Sequence, residues 1–434
     1  MTDVVISFDT EDFTCNRAAD GILDIANLLK EEGIRGCFNI VGLLAEQLVA
    51  WGRTDVLEAL KYHEIETHSY GHSLHPCINE YTNTEDFKVA YNEFIRQEST
   101  GIAAVKAATG VNRLYAANPP GVNESYVALY GYYDLGIPCY SGEMLDSSNT
   151  KGVFFCNQLY IYYYDALEDL VPAKRHLDSA YIDKMAGRST VNLYSHPNRL
   201  LYSTSWDVHN YLGENLRPFG DWEEAVPLTE EERADLLNGI RDFVRTLKAD
   251  GRFRFVTYGD LIKERCTVER RLLPEDMKGI HEKLQNRFWP VTEPVSLSIS
   301  DIFATCVKFL GGAKMFVPGR VYGFLDTPYA ITSELIVKAE DVKKAAEKID
   351  LTTFLPTSIE VGNAKVGPTD FLYAMLDVLG GKEEITLIPR EQNIDLSNFP
   401  GLTGFPLDKW IFKEDFKAEV LKKRTPLQAW TIRF

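Results

Sequence analysis

Between Met1 and Arg265 the sequence alternates short apolar runs with stretches of helical periodicity, and this alternation limits the fold more than any other feature. Val4-Val5-Ile6-Ser7-Phe8 reads as a strand ending in acidic residues. Ile22, Ile25, Leu28 and Leu29 recur at helical spacing, and Gly33 stands where a C-terminal cap belongs. Further strands are expected at 37–41, 64–67, 114–117, 191–194 and 253–256. Helices around Val56, Leu57 and Leu60, and around Phe87, Tyr91, Phe94 and Ile95, lie between them. Thr229 with Glu232 three residues on is a capping box opening a helix through Leu236, Ile240, Phe243 and Leu247. Repeated strand–helix units mean parallel strands covered by helices, in a barrel or an open sheet. An acidic cluster, a histidine pair and His196 each follow an expected strand. Chemistry gathered at carboxyl strand ends favours the barrel.

After Cys266 the character changes. The stretch 267–293 is charged and mixed, a linker with one helix. Beyond it, Asp301-Ile302-Phe303 through Leu310-Gly311-Gly312 matches Asp370-Phe371-Leu372 through Leu379-Gly380-Gly381 at a constant offset. Two copies of a helical unit are expected (about 295–312 and 364–381), with a helix over 340–349 between them. The competing reading is that amphipathic helices ending in glycine resemble one another. The expected division is a catalytic domain over 1–265 and a smaller, mainly helical accessory domain over 266–434. Of eight histidines only His281 lies after residue 265, so no second catalytic centre is expected there.

The chain carries 63 acidic against 46 basic residues, a net charge of −17. Phosphate binding needs clustered Lys and Arg, so nucleic acid and anionic membrane are not expected partners. No apolar run approaches the ~18 residues that a membrane span requires. Nothing like a secretory leader precedes the first strand. The seven cysteines are scattered and never form a C-x-x-C pair, which suits a reducing compartment. A cytoplasmic location is therefore expected. A homo-oligomer is left open.

Ser7-Phe8-Asp9-Thr10-Glu11-Asp12 puts three carboxylates within four residues at a strand end. Such crowding is costly unless a cation or a shared proton relieves it. His68-Ser69-Tyr70-Gly71-His72 is an H-x-x-x-H pair, which one turn of helix would place on a single face. Two imidazoles and one carboxylate leave an open coordination position, the arrangement of a catalytic zinc site. The bland alternative is a surface turn carrying two ordinary histidines.

These residues resemble the polysaccharide deacetylase family (carbohydrate esterase family 4). Ser7–Asp12 is similar to its first motif and His68–His72 to its H-[ST]-x-x-H motif, with His63-Glu64-Ile65-Glu66-Thr67 as the strand leading in. Val191–Pro197 is similar to its apolar strand closing on histidine, and Phe255-Val256-Thr257 to its final strand. The resemblance spans about residues 3 to 262. It implies a distorted (β/α) barrel of about seven strands and metal-dependent removal of N-acetyl groups from an N-acetylamino sugar or glycan.

By that resemblance Asp9 is the general base and His196 the acid that protonates the departing amine. Asp12, His68 and His72 are the metal ligands, with Glu11 as rival to Asp12. Zinc is the default ion, and cobalt or nickel would suit the same atoms. A bound ion would polarise the acetyl carbonyl and lower the pKa of its water, from which Asp9 takes the proton. An unperturbed imidazole pKa near 6.5 suits His196 to its task.

Two departures stand out. Where the family has an arginine that orients the catalytic aspartate, this sequence has Asn118, within Ala116-Ala117-Asn118-Pro119-Pro120-Gly121. Arg113 is the candidate to stand in for it. The family's fourth motif, an aspartate and an aromatic near the acid histidine, is not recognisable. Asn118, Pro119, Trp206 and Asn210 are the expected substrate contacts, the last two on a loop running through Trp222 whose aromatics suit sugar rings. His75 is expected to lie outside the site. In the C-terminal part, 355–361 and 365–372 resemble pseudomurein-binding-type repeats, with a packing or dimer-forming role as the competing reading. Two alternatives to the deacetylase are a cyclic-amide hydrolase on the same fold and a non-catalytic glycan-binding relative.

Overall fold

The computed structural model describes residues 1–121, 124–211, 217–407, 411–412 and 415–434. They form two compact units: 1–152, 158–266 and 405–421 in the first, and 153–157, 267–404 and 422–434 in the second. The first unit's main stretch ends at Cys266, but the units are not two consecutive stretches. Ile411 and Phe412 bury against Cys77 in the first unit, and Phe154 bridges Arg433 in the second. In both cases a segment near the chain's end is drawn out of sequence order.

The strands are β1 (Thr2–Thr10), β2 (Cys37–Ile40), β3 (Glu64–Thr67), β4 (Ala116–Ala117), β5 (Cys139–Gly142), β6 (Val153–Phe155), β7 (Gln158–Ala166), β8 (Thr190–Ser195) and β9 (Phe253–Phe255). Within the first unit, parallel pairing runs β2-β3-β4-β5-β7-β8-β1, and β1 pairs back onto β2. A seven-strand parallel barrel is thereby closed. β9 pairs with Thr2–Val4, the early half of β1, whereas β2 pairs with Ser7–Thr10, the late half. The fork between β9 and β2 is the barrel's distortion. The expected α/β barrel is what forms. β5 and the tyrosine-rich β7 escaped the sequence reading.

β1 is central because it is apolar on both faces: Val4, Val5, Ile6 and Phe8 are buried, as parallel strands under helices require. Helix Phe87–Thr109 starts where Asp86 accepts from the N–H groups of Lys88 and Val89, and it stops at Gly110 in the left-handed region. Helix Glu230–Ala249 opens with the expected capping box of Thr229 and Glu232. Gly101 matters to the site: a Cβ there would meet the Tyr70 Cα at 2.9 Å. The long helix can thus press against the loop that carries His68 and His72. Glu98, on the same helix, accepts from the Tyr70 N–H at 3.2 Å and fixes that loop from outside.

The second unit is mainly helical. Helices Ile299–Leu310 and Pro368–Leu379 occupy the two similar sequence segments, with helix Ala339–Ala346 between them in the chain. Two small antiparallel ribbons accompany them, 335–338 with 384–387 and 359–361 with 364–366. Among the described residues no helix is long and apolar enough to cross a membrane.

Candidate metal and active site

Strand register assembles the site. Asp9 lies opposite Asn39 on β2, and Phe8 lies opposite Ser195 on β8, so His196 emerges beside Asp9. Thr67 pairs with Ala117, which brings His68 and Asn118 out side by side. Asp9 Oδ1 accepts from Asn39 Nδ2 at 2.9 Å and Asn118 Nδ2 at 2.7 Å, and the Tyr163 hydroxyl donates to the same carboxylate at 3.0 Å. Asn118 Nδ2 also reaches the Tyr163 oxygen. These donors are all neutral. They fix the carboxylate's orientation by hydrogen bonds alone. Asn118 therefore touches Asp9 where the family resemblance places an arginine. Arg113 does not stand in: it is exposed and lies over the Tyr115 ring, 4.8 Å from its centroid.

Glu11, two residues on, faces the histidine pair. Its Oε2 lies 3.4 Å from His68 Nε2 and 2.7 Å from His72 Nε2. The three residues each bring one ligand atom within 4.8 Å of the others, and all three are buried. Neither Nε2 atom makes a well-directed hydrogen bond, each having only the Glu11 carboxylate in front of it, an expensive state for a buried polar atom. A tetrahedral ion with bonds of about 2.1 Å separates its ligand atoms by about 3.4 Å, so these residues fit a divalent cation. Burial opposes charge on Glu11, but His72 and His196 outweigh it and hold the carboxyl well below its usual range. Burial pushes the His72 imidazole down despite Glu11. On His68 the same burial is outweighed by Asp9 and Glu11, and its pKa is raised.

Asp12, expected as the ligand, is not at the imidazoles. Side chains of an extended chain alternate, so Asp9 and Glu11 share a face and Asp12 points away from it. Its carboxylate instead accepts from the Thr14 N–H at 3.0 Å and the Thr14 hydroxyl at 2.5 Å. Burial pushes its pKa up to about 6. The histidine pair is also not on a helical turn. It sits in a loop in which Ser69 and His72 take left-handed backbone angles (φ 65° and 52°), and the His72 N–H donates to Ser69 Oγ at 3.0 Å. A non-glycine residue at positive φ is strained, and such strain clusters at functional sites.

Behind the histidines, His72 Nδ1 lies 3.1 Å from Ser73 Oγ and 3.4 Å from a buried Asp207 oxygen. Partners of this kind hold a ligating imidazole in one orientation and tautomer. Across the cavity His196 Nδ1 meets Glu168 Oε1 at 2.5 Å, while His196 Nε2 lies 3.9 Å from Asp9 Oδ2. Burial opposes charge on His196, but Glu168, Glu11 and Asp9 prevail and push its pKa up to about 10. Asp9, Glu11, His72 and His196 line one cavity of about 340 Å³.

The expected substrate contacts fare differently. Trp206 is fully buried and donates from Nε1 to Glu11 Oε1 at 3.1 Å, so it has no face to offer a sugar. Asn210, also buried, braces its loop by donating to the Trp206 and Glu223 carbonyls. Pro119 is buried, and Asn118 serves Asp9. Residues 212–216 of the loop toward Trp222 lie outside the described residues. His75 pairs with Glu80 at 2.7 Å, away from the ion site.

Asn39, Tyr163, Glu168, Ser73 and Asp207 were missed from sequence. Asn39 did carry a signal, being a polar residue inside a buried apolar strand. The others come from an unread strand, from a loop, or from the short helices Leu167–Leu170 and Trp206–Asn210, which carry no local pattern.

No family model matches the sequence, and no curated protein matches it. Among solved structures, the chain is similar to a Mycobacterium smegmatis protein assigned to the polysaccharide deacetylases. Identity is 15%, the TM-score is 0.41, and the match covers 61% of this chain and 89% of that one. A family 4 carbohydrate esterase from Bacillus anthracis matches at 14% identity and TM-score 0.32, covering 61% and 84%. A CE4 family pseudoenzyme from Bacillus anthracis matches at 13% and 0.33, covering 60% and 66%. At these identities and scores, the functional reading rests on this chain's own residues.

Proposed function

We propose that the chain is a divalent-metal-dependent hydrolase that removes the acetyl group from an N-acetylamino sugar. The observation that carries this reading is the convergence of two buried imidazole Nε2 atoms on the Glu11 carboxylate, with Asp9 and His196 lining the same cavity. Glu11, His68 and His72 would hold the ion, with zinc the first choice from the donor set and cobalt or nickel compatible. When bound, the ion supplies Lewis acidity toward the acetyl carbonyl and a lowered pKa for water.

The protein's own groups divide the remaining work. Asp9, oriented by Asn39, Asn118 and Tyr163, takes the proton of the attacking water. His196, kept protonated by Glu168, lies on the other side of the cavity and donates to the departing amine nitrogen. Trp206 fixes the second oxygen of Glu11 and excludes water behind it. No Lys or Arg is among the described residues lining this cavity, which suits a neutral sugar better than an anionic one.

The test is acetate release from N-acetylglucosamine oligomers by purified protein, before and after chelation and after zinc is restored. Release that stops on chelation and returns with zinc supports the proposal. Absence of release at full zinc loading contradicts it. Turnover of small cyclic amides in place of acetylated sugars would instead favour the cyclic-amide reading, and zinc binding without turnover of either would favour the non-catalytic one.

A further inference from the structure

Just past the histidine loop, His75, Cys77 and Glu80 form a second cluster that the deacetylation chemistry does not use. Each brings one ligand atom within 4.8 Å of the others. Local structure draws them together. Cys77 precedes helix Ile78–Thr82, and Glu80 folds back over the helix start, its Oε2 accepting from the Cys77 N–H at 2.7 Å. The same oxygen lies 2.7 Å from His75 Nδ1. The Tyr211 and Phe412 rings flank the imidazole, their centroids 5.8 and 6.3 Å away, and Ile411 and Phe412 pack against Cys77.

Capping the helix accounts for Glu80 over the Cys77 N–H, but it asks for neither an imidazole nor a thiol at the same carboxylate. Charge gives the cluster a direction. Burial, Glu80 and Asp207 together hold the Cys77 thiol well above its ordinary pKa. Burial opposes charge on Glu80 as well, but His75 and the Cys77 N–H outweigh it, so this carboxylate is ionised at neutral pH. A divalent cation answers both conditions, since it binds a carboxylate and supplies the positive charge that a thiolate needs here. Cys77 is buried, whereas the side chains of His75 and Glu80 are 23% and 28% exposed. An ion can therefore enter from the solvent side, and water can complete its shell. Nitrogen and oxygen ligands of a tetrahedral ion stand about 3.4 Å apart, so the His75–Glu80 contact opens by about 0.7 Å as the ion takes the place of its proton. The partly exposed Glu80 side chain allows that movement.

We propose that His75, Cys77 and Glu80 bind a second divalent ion, of the borderline class to which zinc and cobalt belong, with the thiol proton released to solvent. His75 stands three residues after His72, so this ion clamps the far end of the loop that carries the imidazoles of the first site.

The test is a cobalt titration of the full chain, followed by absorbance and by elemental analysis. Glu11, His68 and His72 contain no sulfur, so a thiolate-to-cobalt charge-transfer band in the near ultraviolet reports this second site alone. The band is expected to saturate, and Cys77→Ser should remove it and leave one ion fewer per chain. His75→Ala should weaken cobalt binding by more than the ~10–100-fold that loss of a partner behind a ligand costs. Cys15→Ser and Cys266→Ser, which change the less buried thiols, should keep the band. Circular dichroism and the thermal transition establish that each variant is folded. No thiolate band at full cobalt loading, or a band that either Cys77→Ser or His75→Ala leaves unchanged, overturns the proposal. None of these readouts depends on turnover, so they stand apart from the fate of the deacetylase reading.

Discussion

Two pairs of buried acids sit on the barrel strands, Asp9 with Glu11 at the end of β1 and Glu64 with Glu66 on β3. Each pair is spaced two residues apart, so each shares a face. Their surroundings divide them. Glu64 accepts from the Thr257 hydroxyl at 2.6 Å and the Gly259 N–H at 2.8 Å, and Glu66 accepts from the N–H groups of Tyr115 and Ala116. These acids tie the start of β4 and the start of helix Tyr258–Arg265 to β3. Burial, reinforced by Glu64, pushes the Glu66 pKa well up, so Glu66 stays protonated. Asp9 and Glu11 instead open onto a cavity, and Glu11 faces the Nε2 atoms of His68 and His72. Burying acids is therefore not what marks a reactive centre. Converging imidazoles beside an accessible space are.

The sharpest break in that comparison comes from the imidazoles. His72→Ala should abolish stoichiometric zinc binding, measured by elemental analysis. It should also reduce turnover by more than the ~10²–10⁴-fold that a lost general base costs. Asp9→Asn comes next: acetate release should fall by about 10²–10⁴-fold with zinc content retained, since Asp9 is held by amides and a hydroxyl and does not face the imidazole nitrogens. Loss of zinc along with activity would place Asp9 among the ligands instead.

Glu168→Gln should act more gently, and through pH. The His196 pKa is raised, so its protonated form persists through neutrality and is lost only as the pH climbs toward about 10. Removing the Glu168 charge lowers that pKa, so the alkaline limb of the pH–rate profile should move to lower pH by about 1–3 pH units. An unmoved limb would separate Glu168 from the proton donor.

The smallest effect belongs to the structural pair. Glu66 is protonated when folded but ionises in the unfolded chain above its ordinary pKa. The fold therefore loses stability as the pH rises past that value toward the raised folded pKa. Glu66→Gln stays neutral in both states. Its thermal transition should change less between pH 5 and pH 8 than that of the native chain, with turnover unchanged, whereas a large loss of turnover would dissolve the distinction between the two pairs.

The sequence revealed those parts of the barrel whose local pattern matched their environment. β1 is an apolar run and the Thr229 helix carries its own cap, so both were readable. β7 is not such a run: in Gln158–Ala166 four tyrosines replace the aliphatic residues that mark a buried strand, and Tyr163 was lost with it. The imidazole pair was legible as a motif but not as geometry, because left-handed angles at Ser69 and His72 are set by the packing of Tyr70 against Gly101. Glu11 and Asp12 could not be separated by composition. Which one faces inward depends on the phase of the chain as it leaves β1. Glu168 meets His196 from 28 residues away in sequence, a pairing that no local pattern encodes.

The central claim is that Glu11, His68 and His72 share one cation while Asp12 does not. Crystals grown with zinc and measured at the zinc absorption edge address it directly. A single anomalous peak within bonding distance of both Nε2 atoms and the Glu11 carboxylate is the predicted result. A peak held by Asp12, or none at full zinc loading, would contradict it.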